Sequence, residues 1–167
     1  LEMKNANGGI DGHPLQLVTE DDQQDAVSAR DGLDRLIAQD VEAIVGPMTS
    51  SMAVVVTPLA NTTEILLLSP TATTTALSGK DDFFMRVIAP TTEYARKSAE
   101  YHYNNQGVRE IAVIYDQLNS AYTESWLKDY RGVFEALGGK VKFQIGFESS
   151  NKIQFSILTA QALKVNT

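Results

Sequence analysis

Three short segments rich in hydroxyl side chains contain the residue types in this sequence that could bind a small polar ligand. In the first, Ser50 and Ser51 follow an apolar segment at the position where a helical pattern begins. The Ser50 hydroxyl and the backbone N–H groups of Ser51 and Met52 could together receive an anion such as a carboxylate. The alternative is that Ser50 caps its own helix, which is the commoner role of a serine there.

The second segment, Ser69 to Thr75, places four threonine hydroxyls and no charge directly after an apolar run. Uncharged hydroxyls can orient a zwitterion by hydrogen bonding without a buried counter-ion. The segment, which includes Thr71, Ala72 and Thr73, could therefore contact a ligand. The alternative is a threonine-rich turn that caps a helix around residues 75–78.

The third segment, Asp116 to Tyr122, follows another apolar run. A tyrosine at position 122 could offer both a ring face and a hydroxyl to a ligand. Packing at an interface is the alternative for Tyr122. The common placement of the three segments after predicted strands is what makes them a candidate site.

The elements that must position these segments follow from hydrophobic periodicity and from breaks at glycine and proline. A helix end closes at Asn7-Gly8-Gly9. The predicted strands are 15–18, 41–45, 65–68, 83–88, 111–115 and 141–147, and the predicted helices are 26–37, 50–60, 93–104, 122–137 and 153–163.

This alternation of strands and helices predicts an α/β fold with parallel sheets covered by helices on both faces. We place a boundary at Pro90, which gives one α/β lobe over residues 1–89 and a second over residues 90–167. In such sheets ligands bind outside the carboxyl ends of the strands, where all three hydroxyl-rich segments lie. A cleft between two lobes would gather them.

Composition excludes several other classes of function. The net charge of −7, with 14 scattered Lys and Arg residues, argues against a nucleic-acid partner, since phosphate binding needs clustered basic side chains. The chain has no cysteine, so thiolate metal sites and cysteine nucleophiles are excluded. No apolar run approaches the ~20 residues that span a bilayer.

Enzymatic chemistry finds little support in the sequence. No zinc-protease, nucleophile-elbow or phosphate-loop motif occurs, and we expect neither a metal nor another cofactor. His13 and His102 are expected at the surface, and Asp21-Asp22 is expected to cap the helix that follows. Asp116 could act as a base, so a hydrolase remains a remote alternative.

The sequence resembles the leucine/isoleucine/valine-binding group of solute-binding proteins, which have the type I periplasmic-binding fold. The resemblance runs along nearly the whole chain and rests on short motifs in a specific order. These are Asn5-Ala6-Asn7-Gly8-Gly9-Ile10-Asp11-Gly12, Asp21-Asp22, Val41-Glu42-Ala43-Ile44-Val45-Gly46-Pro47, Ser69-Pro70-Thr71-Ala72-Thr73 and Phe83-Phe84-Met85-Arg86.

The resemblance implies roles for individual residues. Ser50, with neighbouring N–H groups, is similar to the serine that holds the ligand α-carboxylate. Thr71 is similar to a residue whose carbonyl accepts from the ligand ammonium, and Thr73 to a threonine that supplies its hydroxyl. Tyr122 is similar to the aromatic residue of the second lobe, although Thr123 replaces the glycine that usually follows it.

The resemblance also implies a biological setting. It implies two Rossmann-like lobes, here an N-terminal fragment without the family's first strand, its C-terminal part and the acidic residue that pairs with a ligand ammonium. We expect an extracytoplasmic protein, secreted or lipid-anchored after signal removal, that binds an amino acid or related small carboxylate for the membrane permease of an ABC transporter. The ligand-sensing ectodomain of a receptor is the alternative.

Overall fold

The computed structural model describes residues 1–164. Its elements in chain order are helices α1 (Glu2–Ala6) and α2 (Ala26–Ile37), strand β1 (Ala43–Val45), helix α3 (Ser50–Thr63), strand β2 (Leu66–Ser69), a 3₁₀ turn (Thr75–Leu77), strand β3 (Phe84–Arg86), helix α4 (Thr91–Asn104), strand β4 (Glu110–Asp116), helix α5 (Ser120–Ala136), strand β5 (Lys140–Phe147) and helix α6 (Phe155–Leu163). The alternating order predicted from the sequence is confirmed from α2 onward.

The first α/β unit, α1 to β3, is built on a three-stranded parallel sheet in the order β1-β2-β3. The central strand is the near-continuous apolar run expected of a strand covered on both faces. Leu67 in this strand is fully buried and packs in one cluster with Leu33 of α2, Val56 of α3 and Phe84 of β3. This core holds the ends of β1 and β2 beside each other.

The strand predicted over residues 15–18 is wrong, because this segment pairs with no strand among residues 1–164. A strand requires a hydrogen-bonded ladder, whereas the alternation of side chains reports only exposure. The backbone N–H and carbonyl of Leu15 bond instead to the side chain of Asn5, at 2.7 and 2.8 Å. Leu17 is 69% exposed, so its spacing does not mark a core face.

The second α/β unit, α4 to α6, pairs β4 with β5 in parallel and packs α4 against α5. Residues 126, 130 and 134 are aromatic and four apart, so their side chains lie on one face of α5. The Trp126 and Tyr130 rings stack at 4.9 Å between centroids, and Tyr130 and Phe134 lie 5.4 Å apart. The small buried residues Ala95 and Ala99 of α4 belong to the same cluster.

The three hydroxyl-rich segments follow β1, β2 and β4, as expected from the sequence. Ser50 and Tyr122 lie in the first turns of the helices that follow β1 and β4. Helix α3 begins at residue 50, as predicted, and α5 begins at Ser120 rather than at the predicted residue 122. Within the part of the chain that the structure describes, no helix combines the length and apolar character needed to cross a bilayer.

Candidate ligand-binding site

Hydroxyl groups join the loop after β1 to the loop after β2. Ser69 Oγ donates to the Pro47 carbonyl over 2.7 Å, and Thr71 Oγ1 donates to the Met48 carbonyl. Because β1 and β2 are parallel neighbours, their carboxyl ends open on the same edge of the sheet. The two loops thus form one surface, and the Thr71 hydroxyl is already used within it.

Ser50 lies at the centre of this surface and is only 2% exposed. Its Oγ accepts from the backbone N–H groups of Thr73 and Thr74, at 3.1 and 3.3 Å. A serine hydroxyl has two acceptor sites and one donor hydrogen, so these two bonds leave the O–H as its remaining capacity. The alternative that Ser50 caps its own helix is not what the structure shows, since its acceptors serve the neighbouring loop.

Two buried hydroxyls beside Ser50 have no hydrogen-bond partner among the described residues, namely Thr73 Oγ1 and Thr49 Oγ1. Buried polar atoms are nearly always paired, so each such atom calls for an explanation. Thr73 was predicted as a ligand contact, whereas Thr49 was not. Its position immediately before Ser50 at the start of α3 is the only signal that could have pointed to it.

Arg86, at the end of β3, fixes the shape of the threonine loop. Its guanidinium donates to the Thr74 carbonyl over 2.8 Å, to the Ala72 carbonyl over 3.4 Å and to the Ser78 hydroxyl. Burial lowers the pKa of Arg86, which nevertheless remains charged. No described residue donates to the carbonyl of Thr71, which therefore stays available.

The N-terminus of α5 approaches this surface from the second unit. The Ser51 N–H donates to Asn119 Oδ1 over 3.1 Å, and Ser51 Oγ accepts from the Ala121 N–H over 3.2 Å. The positive ends of two helices thus lie close together, an arrangement that favours negative charge between them. Sequence reasoning had left the Ser51 N–H free for an anion and had missed Asn119.

A second polar contact between the units lies one turn further along α5. Ser125 Oγ lies 3.0 Å from Thr75 Oγ1 and 2.9 Å from Thr91 Oγ1. Thr91 is fully buried and also donates to Asp129 Oδ2 over 2.9 Å, while its backbone N–H donates to the Thr73 carbonyl over 2.8 Å. The crossover between the units is therefore tied to both the threonine loop and α5.

Tyr122 and Asp116 differ in how the structure places them. Tyr122 lies in the first turn of α5 with its side chain 40% exposed. Asp116 Oδ1 accepts from the N–H groups of Leu118 and Ser149, at 3.0 and 3.1 Å. Burial alone would raise the pKa of Asp116, but these hydrogen bonds outweigh it and lower the pKa. A carboxylate held in this way is a poor general base at neutral pH.

The histidines and acidic residues form no reactive cluster in the described chain. His13 is exposed, as expected, whereas the expectation of a surface position for His102 is wrong, since it is half-buried and its Nδ1 lies 2.8 Å from Tyr130 Oη. Over residues 1–164, no group of three or more histidine or acidic side chains could hold a metal ion. The hydroxyls and N–H groups at the start of α3 and in the threonine loop are suited to holding an uncharged or anionic group by hydrogen bonds.

These features define a class of protein. Two α/β units, each with a parallel sheet and with polar loops at the carboxyl ends of its strands, are typical of the type I periplasmic-binding fold. A sequence profile described as "Periplasmic binding protein" matches residues 1–166. The chain therefore belongs to the periplasmic binding protein family.

Individual relatives are distant but match along nearly the whole chain. The Leu/Ile/Val-binding protein of Escherichia coli K12 is 24% identical over 163 residues, which cover 97% of this chain and 44% of that protein. The leucine binding protein LivK of Thermotoga maritima has a TM-score of 0.84 at 23% identity, covering 98% of this chain and 46% of that one.

A third relative was solved with a different type of ligand. It is the solute binding protein of an ABC transporter from Rhodopseudomonas palustris BisB5, in complex with 3,4-dihydroxy benzoic acid. It has a TM-score of 0.84 at 17% identity and covers 98% of this chain and 44% of that one. The chain thus spans about half the length of the relatives that it matches.

Proposed function

We propose that this chain provides the carboxylate-binding part of an extracytoplasmic solute-binding protein of an ABC transporter. The observation that carries the proposal is the hydrogen bonding of the Ser50 hydroxyl. Both acceptor sites of its oxygen are occupied, and its O–H remains free to donate. Beside it, Thr73 Oγ1 is buried without a partner among the described residues. A ligand carboxylate could accept from both hydroxyls at the positive end of α3.

The other residues of the proposed site complete the contact with an amino acid. The Ser51 N–H would donate to the carboxylate, and the Thr71 carbonyl would accept from the ammonium group. Ala72, fully buried between the two threonines, would line the site through its backbone. Tyr122, whose ring is partly exposed at the start of α5, would cover the ligand from the second unit.

The two α/β units would act as lobes, one over residues 1–89 and the other over residues 90–167. The crossover at Pro90 is the position about which they would close, a hinge motion that shields the ligand from water. Closure strengthens the hydrogen bonds to the ligand, because the local dielectric falls. The separate hydrophobic cluster in each unit supports this division.

The ligand class proposed is an amino acid or a related small carboxylate. The relatives are named for leucine, isoleucine and valine or were solved with an aromatic acid, and these ligands share a carboxylate. By the same similarity, the protein would work outside the cytoplasm, deliver its solute to a membrane permease and catalyse no reaction.

Calorimetric titration with L-leucine, L-isoleucine and 3,4-dihydroxybenzoate tests the proposal. Replacing Ser50→Ala or Thr73→Val should weaken binding about tenfold or more, because each change removes a hydrogen bond to a charged group. Thr62→Val is the matched control, since its hydroxyl donates to the Leu59 carbonyl of its own helix. Unchanged affinity in both site variants would show that the carboxylate binds elsewhere.

A further inference from the structure

The starts of α3 and α5 cap each other across the two α/β units. Thr49 and Asn119 hold the capping positions of these helices, yet neither makes a side-chain capping bond within its own helix. Instead, Asn119 Oδ1 accepts from the second amide of α3, at Ser51, and Ser51 Oγ accepts from the second amide of α5, at Ala121. Each helix thus relies on the other for a cap.

This reciprocal cap uses a donor that the proposed site also needs. A backbone N–H forms one good hydrogen bond, so Asn119 Oδ1 and a ligand carboxylate oxygen cannot both be well bonded to the Ser51 N–H. We infer that Asn119 is an affinity-determining residue of the cleft, whose side-chain oxygen competes with the ligand carboxylate for the Ser51 N–H. The inference rests on the proposed function and adds a residue that opposes binding.

A charged ligand should bind the Ser51 N–H more strongly than Asn119 does. Asn119 offers a neutral amide oxygen, whereas a ligand offers a full negative charge to the same helix terminus, and charge-assisted bonds are about twice as strong. Displacement of Asn119 does not break the other contact between the units, because Ser125 Oγ bonds to the Thr75 backbone N–H and hydroxyl, at 3.3 and 3.0 Å, without involving Asn119. Displacing Asn119 therefore needs only a rotation of its side chain.

Two substitutions at Asn119 should move affinity in opposite directions. Asn119→Ala removes the competitor and should tighten binding of the probe L-leucine about two- to tenfold, the value of one neutral hydrogen bond. Asn119→Asp places a permanent carboxylate at the same amide and should weaken binding about tenfold or more. A loss of folding would weaken binding in both variants, so the opposed pair separates competition from damage.

Asn61→Ala is the matched control, because Asn61 Oδ1 also accepts from a backbone N–H, that of Phe83 over 3.0 Å, but within the first unit. It should leave the affinity for L-leucine unchanged. Urea unfolding of all three variants reports any difference in stability. Equal or weaker binding by Asn119→Ala, relative to the unsubstituted chain, would overturn the assignment.

Hydrogen exchange of the Ser51 amide, measured by NMR without any ligand, tests the contact by itself. Asn119→Ala should speed this exchange, whereas Asn119→Asp should slow it. An unchanged rate in Asn119→Ala would overturn the inference. If the rates shift as expected but no variant binds L-leucine, the proposed function fails for this solute and the competition fails with it. Binding in which all variants equal the unsubstituted chain overturns the role of Asn119 alone.

Discussion

Ser50 and Thr73 lie side by side, but their hydroxyls stand in opposite situations. Ser50 Oγ accepts two backbone hydrogen bonds that shape the neighbouring loop, whereas Thr73 Oγ1 is buried without a partner in the described chain. The first hydroxyl contributes to folding as well as to binding, and the second costs stability because it is desolvated and unpaired. The two positions therefore allow folding and binding to be separated.

Substitution at these two positions should affect stability differently. Ser50→Ala leaves two buried N–H groups without an acceptor and should lower the free energy of unfolding by about 1–3 kcal/mol. Thr73→Val keeps the shape and removes an unpaired hydroxyl, so the free energy of unfolding should stay equal or rise. Urea unfolding monitored by circular dichroism gives both values. A larger loss in Thr73→Val than in Ser50→Ala would mean that the Thr73 hydroxyl has a structural partner.

At the residue scale, the placement of Ser50 at the start of a helix could be predicted from its chain neighbours, whereas its tertiary contacts could not. A hydroxyl after a strand and before a helix marks Ser50 from the sequence alone. That its acceptors bond to Thr73 and Thr74 depends on the pairing of β1 with β2, which no local pattern contains. Asn119 was missed for the same reason, since its partner Ser51 belongs to a different α/β unit.

At the scale of elements, hydrophobic spacing predicted the helices well and failed for one strand. The aromatic residues along α5 recur every four positions and β2 is a near-continuous apolar run, and both elements are present. The segment over residues 15–18 alternates like a strand but pairs with none of the described strands. Alternation sets the faces of a strand, whereas a ladder needs a neighbour at the right distance.

The packing of α5 should depend on its buried aromatic residues. Phe134→Ala removes a fully buried ring from the cluster between α4 and α5 and should cost about 3–5 kcal/mol of unfolding free energy. Phe155→Ala is the control, since Phe155 is 57% exposed and should cost much less. Equilibrium urea unfolding compares the two. Similar losses in both variants would mean that the Phe134 cluster does not hold the second unit together.

At the scale of the whole molecule, the two α/β units meet through polar side chains rather than through a shared apolar core. The two hydrophobic clusters are separate, one in each unit. The contacts between the units include the hydrogen bonds of Ser51 and Ser125 and the bond from the Thr91 N–H to the Thr73 carbonyl. The side-chain bonds can exchange with water or a ligand at modest cost. Such an interface suits a protein whose units move relative to each other.

The central claim is that a small carboxylate binds at the start of α3, between Ser50 and the threonine loop. Amide chemical shifts of the ¹⁵N-labelled chain, followed during titration with L-leucine, test it most directly. We expect saturable shifts at Ser51, Met52 and Thr73, because their N–H groups lie at or beside the proposed carboxylate position. Saturable shifts confined to other residues, with these three amides unmoved, would contradict the account.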